Sequence, residues 1–452
     1  MSDLSPLFAQ DAERSVIGAI FLDNRALTDV ADLLDTPDFH DAACRVVYGA
    51  MLGLTEAGQP IDVVTVAEAL RSDLASIGGP STLAMLDACV PSSGNVRHYA
   101  QIVASASRRR RIQALGKALA LHANNPDRDV DDLVDDASAQ ITALAEVRGQ
   151  QAARPMKDMM RDAYSVIESR YYRKDAITGL RTGLPDFDGM TSGLQPGQLI
   201  VIAGRPSMGK SALALNIAEY AALNGAPTMF FSMEMSELEV IERLLAQKSG
   251  VDLRLIRNGQ ITDPQWGKLH KATEELKGAQ LCINDRAANT LSYMRLQAQR
   301  FKTKAKSLGL IVVDYLQLAR AAGKRGGSRE EEVSEISRGL KQLGKDLGCP
   351  VAALSQLNRS VEKRENKRPM MSDLRESGSI EQDADVIAFL YREEVYKKQE
   401  TAADRKGKAE LILSKQRSGP IGTVQLRWGA TETRFSHLAA EEYYKYKEGE
   451  MT

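Results

Sequence analysis

Two kinds of hydrophobic pattern divide the chain. Over the first half, apolar residues recur three and four positions apart, a spacing that predicts amphipathic α-helices. The first such stripe consists of Val16, Ile17, Ile20 and Phe21. From about residue 180 the pattern changes to short apolar runs separated by helical stretches, which is typical of an α/β unit.

Two longer amphipathic stretches follow the first hundred residues. They read RRRRIQALGKALALHA and DVDDLVDDASAQITALAEV, with the turn-forming NNPDRD between them. A turn between two helical patterns predicts a helical hairpin. We therefore assign residues 1–105 to an N-terminal helical domain and residues 106–150 to a hairpin of that domain. The arginines at 108–111 spread over all faces of a helix, so we interpret them as a solvated helix start rather than a nucleic-acid patch.

A polar break, RGQQAARP, precedes a short amphipathic segment, MKDMMRDAYSVIESRYY. The apolar residues along one face of this segment are Met156, Met159, Met160, Ala163, Ile167 and Tyr171. Two interpretations stay open: the helix lies on its own domain, or it docks on a neighbouring subunit. We assign residues 151–178 to a linker that contains this helix.

The second half of the chain predicts an open, largely parallel sheet with helices between its strands. Its apolar runs end in polar residues and read QLIVIAG (198–204), TMFFSME (228–234), LIVVDYLQL (310–318), PVAALSQ (350–356), DVIAFLYR (385–392) and AELILSKQR (409–417). Ligands of such sheets bind at the carboxyl ends of the strands, where we expect the polar residues discussed below. The predicted fold is multidomain, all-α followed by an α/β domain over residues 179–452.

Composition narrows the class of protein. The 452 residues exceed one ordinary domain, and 43% hydrophobic with 26% charged residues fit a globular protein with a core. Because the net charge is −1, a nucleic-acid partner must bind a local positive surface. The four cysteines lie far apart, which favours a reducing compartment and argues against a structural zinc. With no signal-peptide pattern and no membrane-length apolar run, we expect a cytoplasmic protein without a membrane partner.

The octet GRPSMGKS matches the GxxxxGK[ST] pattern of a phosphate-binding loop, the P-loop. A strand precedes it and a helix follows, the context in which backbone N–H groups turn inward around phosphate oxygens. We predict nucleotide binding by Gly204, Arg205, Pro206, Ser207, Met208, Gly209, Lys210 and Ser211. Lys210 is expected to reach the β- and γ-phosphates, and Ser211 to hold Mg²⁺.

Hydrolysis requires further residues at neighbouring strand ends. Asp314 ends the apolar run LIVVD and is the candidate metal partner, while Glu234 ends TMFFSME and is the candidate base. Gln356, at the end of PVAALSQ, is a candidate to contact the γ-phosphate, or else an ordinary polar strand end. The sequence contains no NKxD motif for guanine and no arginine-rich lid, which leaves a P-loop motor or switch.

Several segments carry a family resemblance. GLQPGQLIVIAGRPSMGKSALALNIA, FSMEMS, IVVDYLQL, ALSQLNRS, SDLRESGSIEQDADVI and KQRSGPIGTV resemble the bacterial replicative DNA helicases of the DnaB family. In the first half, AERSVIGAIFLDN and IDVVTVAEAL are similar too, so the resemblance covers nearly the whole chain in order. Ser211 is commonly threonine in that family, and either hydroxyl serves Mg²⁺.

The resemblance implies a RecA-like motor that uses ATP, forms a homohexameric ring around single-stranded DNA and moves 5′→3′. It further implies primase and a helicase loader as partners, and work at replication forks on the nucleoid. The pair Lys415 and Arg417 is similar to an arginine finger for the neighbour's γ-phosphate; without the resemblance, both are ordinary strand-end cations. The loop with Arg375, Glu376 and Gly378 is implied to follow the DNA backbone. We expect the preceding RSVEKRENKRPMM to be basic and flexible, lining a central channel or simply solvated.

Two alternative functions stay open. One is another RecA-like DNA-dependent ATPase, such as a recombination mediator, against which the helical N-terminal half and the lack of a cysteine-rich zinc module both count. The other is a non-motor ring scaffold that ATP stabilises and that recruits primase. The presence of Glu234 and Arg417 argues against such a scaffold.

Overall fold

The computed structural model describes residues 7–71, 73–126, 156–173, 176–287, 289–315, 329–396 and 406–438, with a few residues between 130 and 141. The chain divides into two compact units, Met1–Ala163 and Tyr164–Thr452. Among the helices of the described ranges, none combines the length and the apolar composition needed to cross a bilayer.

The first unit is helical throughout the regular elements of its described residues. Its helices are α1 (Gln10–Leu22), α2 (Arg25–Val30), α3 (Ala42–Glu56), α4 (Val63–Ala69), α5 (Pro80–Asp87) and α6 (Val96–Ala123). The predicted stripe on α1 is buried: Val16, Ile17 and Ile20 enter one core together with Tyr48 and Met51 of α3. The all-α character of the N-terminal half is thus confirmed.

Helix α6 continues through residue 105, so the limit predicted there divides one helix. The four arginines therefore lie in the middle of α6, so the predicted helix start is wrong, whereas Arg108 and Arg109 are exposed, as the interpretation of a solvated helix face expected. Arg110 donates to the carbonyl oxygens of Leu7 (3.0 Å) and Asp38, and Arg111 pairs with the Asp38 carboxylate at 2.5 Å. The helix begins earlier because its first turns bury Val96, Ala100 and Val103. The second arm of the predicted hairpin lies mostly outside the described residues.

Helix α7 (Met156–Arg173) lies within the predicted linker. Apolar residues of its predicted face are between half and three-quarters exposed: Met156, Met159, Met160, Ile167 and Tyr171. A row of exposed apolar side chains is unusual unless another surface covers it. This exposure favours the second interpretation of the linker, docking on a neighbouring subunit.

The second unit is built on a nine-stranded sheet with the order β3-β2-β4-β5-β1-β6-β7-β8-β9. Its strands are β1 (Leu199–Gly204), β2 (Thr228–Ser232), β3 (Leu281–Asn284), β4 (Leu310–Asp314), β5 (Val351–Gln356), β6 (Val386–Tyr391), β7 (Lys408–Gln416), β8 (Gly422–Gly429) and β9 (Arg434–His437). The strands from β3 to β6 in this order pair in parallel, and the strands from β6 to β9 pair antiparallel. The largely parallel α/β sheet is confirmed, and β3, β8 and β9 add strands that no apolar run had predicted.

Helices cover both faces of the sheet. They are α8 (Pro185–Thr191), α9 (Lys210–Leu223), α10 (Glu237–Ser249), α11 (Leu253–Asn258), α12 (Asp263–Lys277), α13 (Leu291–Ala305), α14 (Arg329–Leu347), α15 (Gly378–Asp383) and α16 (Glu393–Tyr396). Alternate residues of β1 enter two separate cores, because successive strand side chains point to opposite faces. Ile200 and Ile202 pack with α9, whereas Leu199 and Val201 pack with α13 and α14.

Candidate active site

Four strand ends meet along the carboxyl edge of the parallel strands. The P-loop (204–211) joins β1 to α9, Asp314 ends β4, and Gln356 ends β5. Glu234 lies two residues beyond β2. Because β2, β4, β5 and β1 are consecutive in the sheet, these residues line one edge. The structure thus brings together the P-loop, both predicted carboxylates and the predicted glutamine.

The P-loop backbone has the shape of a phosphate cradle. Ser207 (φ 67°) and Gly209 (φ 98°) both adopt the left-handed conformation, which turns backbone N–H groups of a tight loop toward one centre. Glycine is needed at 209 for space as well, since a Cβ there would lie 2.9 Å from the Phe435 ring. Helix α9 begins at Lys210, so its unpaired first-turn N–H groups face the same loop. The loop fits the phosphates of a nucleotide.

Lys210 is a partly buried cation within this cradle. Its Nζ donates a hydrogen bond to the carbonyl oxygen of Arg205 at 3.3 Å. Burial lowers the pKa of Lys210, while the nearby carboxylates of Asp314 and Glu234 act in the opposite direction. An adjacent anion stabilises an ammonium group that is partly withdrawn from water, so the Lys210 side chain suits a triphosphate.

Asp314 and Ser211 form an oxygen-rich pair that fits Mg²⁺. Asp314 is 1% exposed and accepts a hydrogen bond from the Ser211 side chain. Burial raises the pKa of Asp314 to about 6, and the Glu234 charge adds to the rise. The Oδ2 atom of Asp314 is buried and has no hydrogen-bond partner among the described residues. A hard cation with carboxylate and hydroxyl ligands would satisfy this oxygen.

Asp314→Asn is expected to stabilise the ligand-free protein. The folded-state pKa of about 6 exceeds the ordinary value of 3.8, so the Asp314 contribution to the free energy of unfolding is present below about pH 4 and lost as pH rises through 6. The amide cannot ionise, so the variant avoids a cost of at most about 3 kcal/mol at pH 7.5. Thermal unfolding without nucleotide or Mg²⁺ should give a higher Tm for the variant at pH 7.5, with a smaller difference at pH 5. A lower Tm at pH 7.5 would contradict this account.

The side chain of Arg205 turns away from the phosphate cradle. Its guanidinium is buried and donates to the Leu357 carbonyl oxygen at 2.7 Å and to the Glu362 carboxylate at 2.6 Å. Both partners belong to the segment that follows β5. In this arrangement Arg205 can offer a phosphate only its backbone N–H. Its side chain connects the P-loop to the segment that follows β5.

Arg243 of α10 is a site residue that no sequence motif had indicated. Burial lowers its pKa, and the carboxylates near it include Asp314 and Glu234. Its Nε atom is buried without a hydrogen-bond partner in the described parts of the chain. One signal could have located it: Arg243 lies two helical turns after Ser236, the residue that caps α10, and so faces the same side as the start of the helix.

Arg392 contacts the P-loop from the end of β6, the strand next to β1. This residue directly follows β6, and its Nη1 donates to the carbonyl oxygen of Ser207 at 3.3 Å. Its guanidinium lies 4.4 Å from the centre of the Trp428 ring and pairs with Glu394 at 2.5 Å. Because Trp428 belongs to β8, which no apolar run had predicted, the sequence alone held no signal for this contact.

Lys415 and Arg417 lie at the opposite end of the strands from the P-loop. The P-loop is at the carboxyl ends of the parallel strands, whereas these two residues are near their amino ends. Strand β7 is antiparallel to β6, so that Tyr391 at the carboxyl end of β6 faces Glu410 near the start of β7. The end of β7 therefore lies at the opposite edge, about 20 Å away along strands of six residues. The expectation that every polar strand end falls at the carboxyl edge of the parallel strands is wrong for this pair.

The predicted DNA loop lies at the junction of two short helices. A 3₁₀ helix, Met371–Ser377, contains Arg375 and Glu376, and α15 begins directly after it at Gly378. Helix α15 leads into β6, so it lies at the same edge as the end of β7.

Two arginines of the preceding basic segment are held within the fold. Arg364 pairs with Asp373 at 2.7 Å, and Arg368 pairs with Glu410 at 2.6 Å. Both carboxylates are largely buried, and a buried carboxylate requires a cationic or hydrogen-bonding partner. The expectation that this segment is flexible is therefore wrong for these two residues, and its place along a central channel stays a prediction.

Comparisons with known proteins agree with this geometry. The family profile "DnaB-like helicase C terminal domain" matches residues 179–437, and "DnaB-like helicase N terminal domain" matches residues 5–105. The replicative DNA helicase DnaB of Geobacillus stearothermophilus is 41% identical over 440 residues, which cover 97% of this chain and 96% of the relative.

Two solved structures support the same assignment. "The Structure Of A DnaB-Like Replicative Helicase And Its Interactions With Primase" aligns with a TM-score of 0.72 at 31% identity, covering 95% of this chain and all of the other. A separately solved ATPase domain aligns with a TM-score of 0.60 at 37% identity, covering 64% of this chain and all of the other. With both halves matched and a P-loop ATPase fold in the second, the chain belongs to the DnaB family of ATP-dependent replicative DNA helicases.

Proposed function

We propose that the protein hydrolyses ATP between neighbouring subunits of a hexameric ring, and that this drives 5′→3′ movement along single-stranded DNA and unwinding at the replication fork. The observation that supports this most strongly is the position of Lys415 and Arg417. They lie at the edge of the sheet opposite to the P-loop of the same chain. A finger at that distance serves only the P-loop of another subunit.

Within one subunit, the residues of the carboxyl edge divide the chemistry of hydrolysis. The P-loop N–H groups and Lys210 hold the triphosphate, while Ser211 and Asp314 hold Mg²⁺. Bound Mg²⁺ offsets the negative charge on the phosphate oxygens. Glu234 orients the attacking water and accepts its proton, and Gln356 contacts the γ-phosphate. The exposure of Glu234 next to the buried Asp314 supports this division of roles.

The neighbouring subunit completes the site. Lys415 and Arg417 approach its γ-phosphate, which makes turnover conditional on assembly. Contacts of this kind join two different surfaces, and repeated head-to-tail contacts close into a ring. The exposed apolar face of α7 is a second such surface and docks on the adjacent subunit.

DNA and protein partners follow from the same arrangement. Arg375, Glu376 and Gly378 follow the phosphate backbone, and contacts to phosphates alone give the sequence-independent binding that a translocating motor requires. Because the net charge of the chain is −1, this positive surface must be local. The N-terminal helical unit recruits primase, a loader places the ring on DNA, and the protein works in the cytoplasm at replication forks.

Strand displacement on forked DNA tests this proposal. Wild-type protein is expected to unwind a fork with a 5′ tail in an ATP-dependent reaction, and a fork with only a 3′ tail should stay intact. Lys210→Ala should abolish unwinding because the triphosphate loses the cation of the P-loop. Lys268→Ala, which replaces an exposed lysine on α12, should unwind normally. DNA-stimulated hydrolysis without displacement would favour another RecA-like ATPase. Assembly with ATP but no hydrolysis on DNA would favour the ring scaffold.

A further inference from the structure

Helix α15 connects the predicted DNA loop to both residues of the predicted finger. Its first residue, Gly378, directly follows the 3₁₀ helix of the DNA loop. At its other end, Lys415 Nζ donates to the carbonyl oxygen of Glu381, and Arg417 Nη2 donates to that of Gln382 at 2.6 Å. The last carbonyls of a helix lack intrahelical partners and carry partial negative charge, so cations bind them well.

Asp385 holds Arg417 from a second side. Its Oδ1 accepts from Arg417 Nη1 at 3.2 Å, and its backbone carbonyl accepts from the Arg417 N–H at 3.0 Å. Its Oδ2 accepts from the Leu199 N–H at 2.8 Å and pairs with Lys341 Nζ at 2.5 Å. The Asp385 side chain is only 8% exposed, whereas that of Arg417 is half exposed. A carboxylate anchored to β1 and α14 therefore gives an otherwise solvent-facing guanidinium a defined position.

We propose that Asp385 is a positioning residue for Arg417, and that α15 couples the DNA loop to the finger of the same subunit. When the loop shifts on contact with a DNA phosphate, α15 moves with it, and its last carbonyls move Lys415 and Arg417. DNA bound by one subunit thereby accelerates hydrolysis at the P-loop of its neighbour. A short packed helix with contacts at both ends is a suitable element for such a shift. The inference rests on the proposed function, which assigns the DNA loop and the finger.

Asp385→Asn tests the positioning role, because the amide keeps the acceptor for Leu199 but loses the charge that holds Arg417. We expect DNA-stimulated kcat to fall at least about tenfold, with the KM for ATP nearly unchanged. Glu410→Gln is the matched control: Glu410 is a similarly buried carboxylate of β7, paired with Arg368 at the other edge of the sheet. It should keep kcat within about twofold, because Glu410 lies at the other end of β7 from Arg417 and its effect is independent of the finger. A Tm loss for Asp385→Asn with unchanged kcat would reduce Asp385 to a structural ion pair and overturn the proposal.

Mixed rings show whether the defect acts on the neighbouring subunit. Asp385→Asn subunits have an intact P-loop, and Lys210→Ala subunits have an intact finger. In rings mixed at random from equal amounts, about a quarter of the interfaces combine the P-loop of an Asp385→Asn subunit with the finger of a Lys210→Ala subunit. Hydrolysis should reappear at these interfaces. No recovery at any ratio would mean that Asp385→Asn damages its own P-loop, which overturns the positioning role. If Asp385→Asn does not assemble, Asp385→Glu, which keeps the charge but displaces the guanidinium, replaces it in the same mixture.

The coupling through α15 is tested by adding Arg375→Ala to the Lys210→Ala subunits. In these rings hydrolysis again occurs where the P-loop of an Asp385→Asn subunit faces the finger of a subunit that carries both Lys210→Ala and Arg375→Ala. If α15 carries the signal, recovered turnover no longer rises with saturating oligothymidylate, although the Asp385→Asn subunits still bind it. Retained stimulation would show that the signal passes through the subunit that holds ATP, and would overturn the coupling.

Two further measurements test the assignments on which the inference rests, the DNA loop at Arg375 and the finger at Arg417. Arg375→Ala rings that bind oligothymidylate as tightly as wild type, measured by fluorescence anisotropy, would remove the DNA loop from its assigned role. Arg417→Ala rings with normal turnover would remove the finger. Either result overturns the inference at its foundation, and neither can be confused with a failed Asp385 or α15 test, in which both assignments hold.

Discussion

Glu234→Gln is expected to bind ATP with unchanged affinity and to hydrolyse it at least about a hundredfold more slowly. Glu234 is the exposed carboxylate at the edge that carries the P-loop, whereas Asp314 is buried against Ser211. An exposed carboxylate can reach a water beside the γ-phosphate, and the amide cannot accept its proton. The measurement is single-turnover hydrolysis in the presence of DNA, alongside equilibrium binding of a fluorescent ATP analogue.

Glu237→Gln is the matched control for this prediction. Glu237 is also an exposed carboxylate, in the first turn of α10 and three residues beyond Glu234. Its variant should hydrolyse ATP at the wild-type rate, because the loss of one surface charge alone has little effect. Wild-type turnover by Glu234→Gln, or an equal loss in both variants, would remove Glu234 from the role of base.

Arg417→Ala is expected to assemble normally and to lose DNA-stimulated turnover by about a thousandfold or more, the typical effect of an arginine finger. Its position at the edge opposite to the P-loop leaves nucleotide binding in the same subunit untouched. The measurements are kcat with oligothymidylate and the mass of the assembly by light scattering. Mixing with Lys210→Ala should restore part of the activity, since the two variants lack different halves of one interface.

Arg427→Ala provides the control for the finger. Arg427 is an exposed arginine on β8, next to β7 in the sheet, so its removal matches the change in charge. We expect wild-type turnover from this variant. If Arg417→Ala were inactive in every mixture while it still assembled, the finger would not act on the neighbouring subunit.

Much of the candidate site was predictable because its parts are short and local. The P-loop is eight consecutive residues, and its preceding strand and following helix are marked by their own apolar runs. Asp314 and Gln356 each end such a run. Parallel strands separated by helices leave their carboxyl ends at one edge, so the convergence of these residues follows from pattern and topology rules.

Other features depended on contacts between segments far apart in sequence. The apolar run of β7 looks the same whether the strand is parallel or antiparallel, so no local pattern placed Lys415 and Arg417 at the opposite edge. The partners of Arg205, Arg364 and Arg368 likewise come from distant segments.

The sequence by itself determined the fold class, the phosphate cradle and the carboxylates beside it, because these depend on periodicity and on the conformational freedom of a few adjacent residues. The tertiary structure alone decided which arginines face the nucleotide site and which are bound to buried carboxylates. It also decided that α15 lies between the predicted DNA loop and the predicted finger residues, Lys415 and Arg417. The physical reason is that a long charged side chain pairs with whichever group lies within reach in space. Strand direction and strand order set those distances only once the whole sheet has formed.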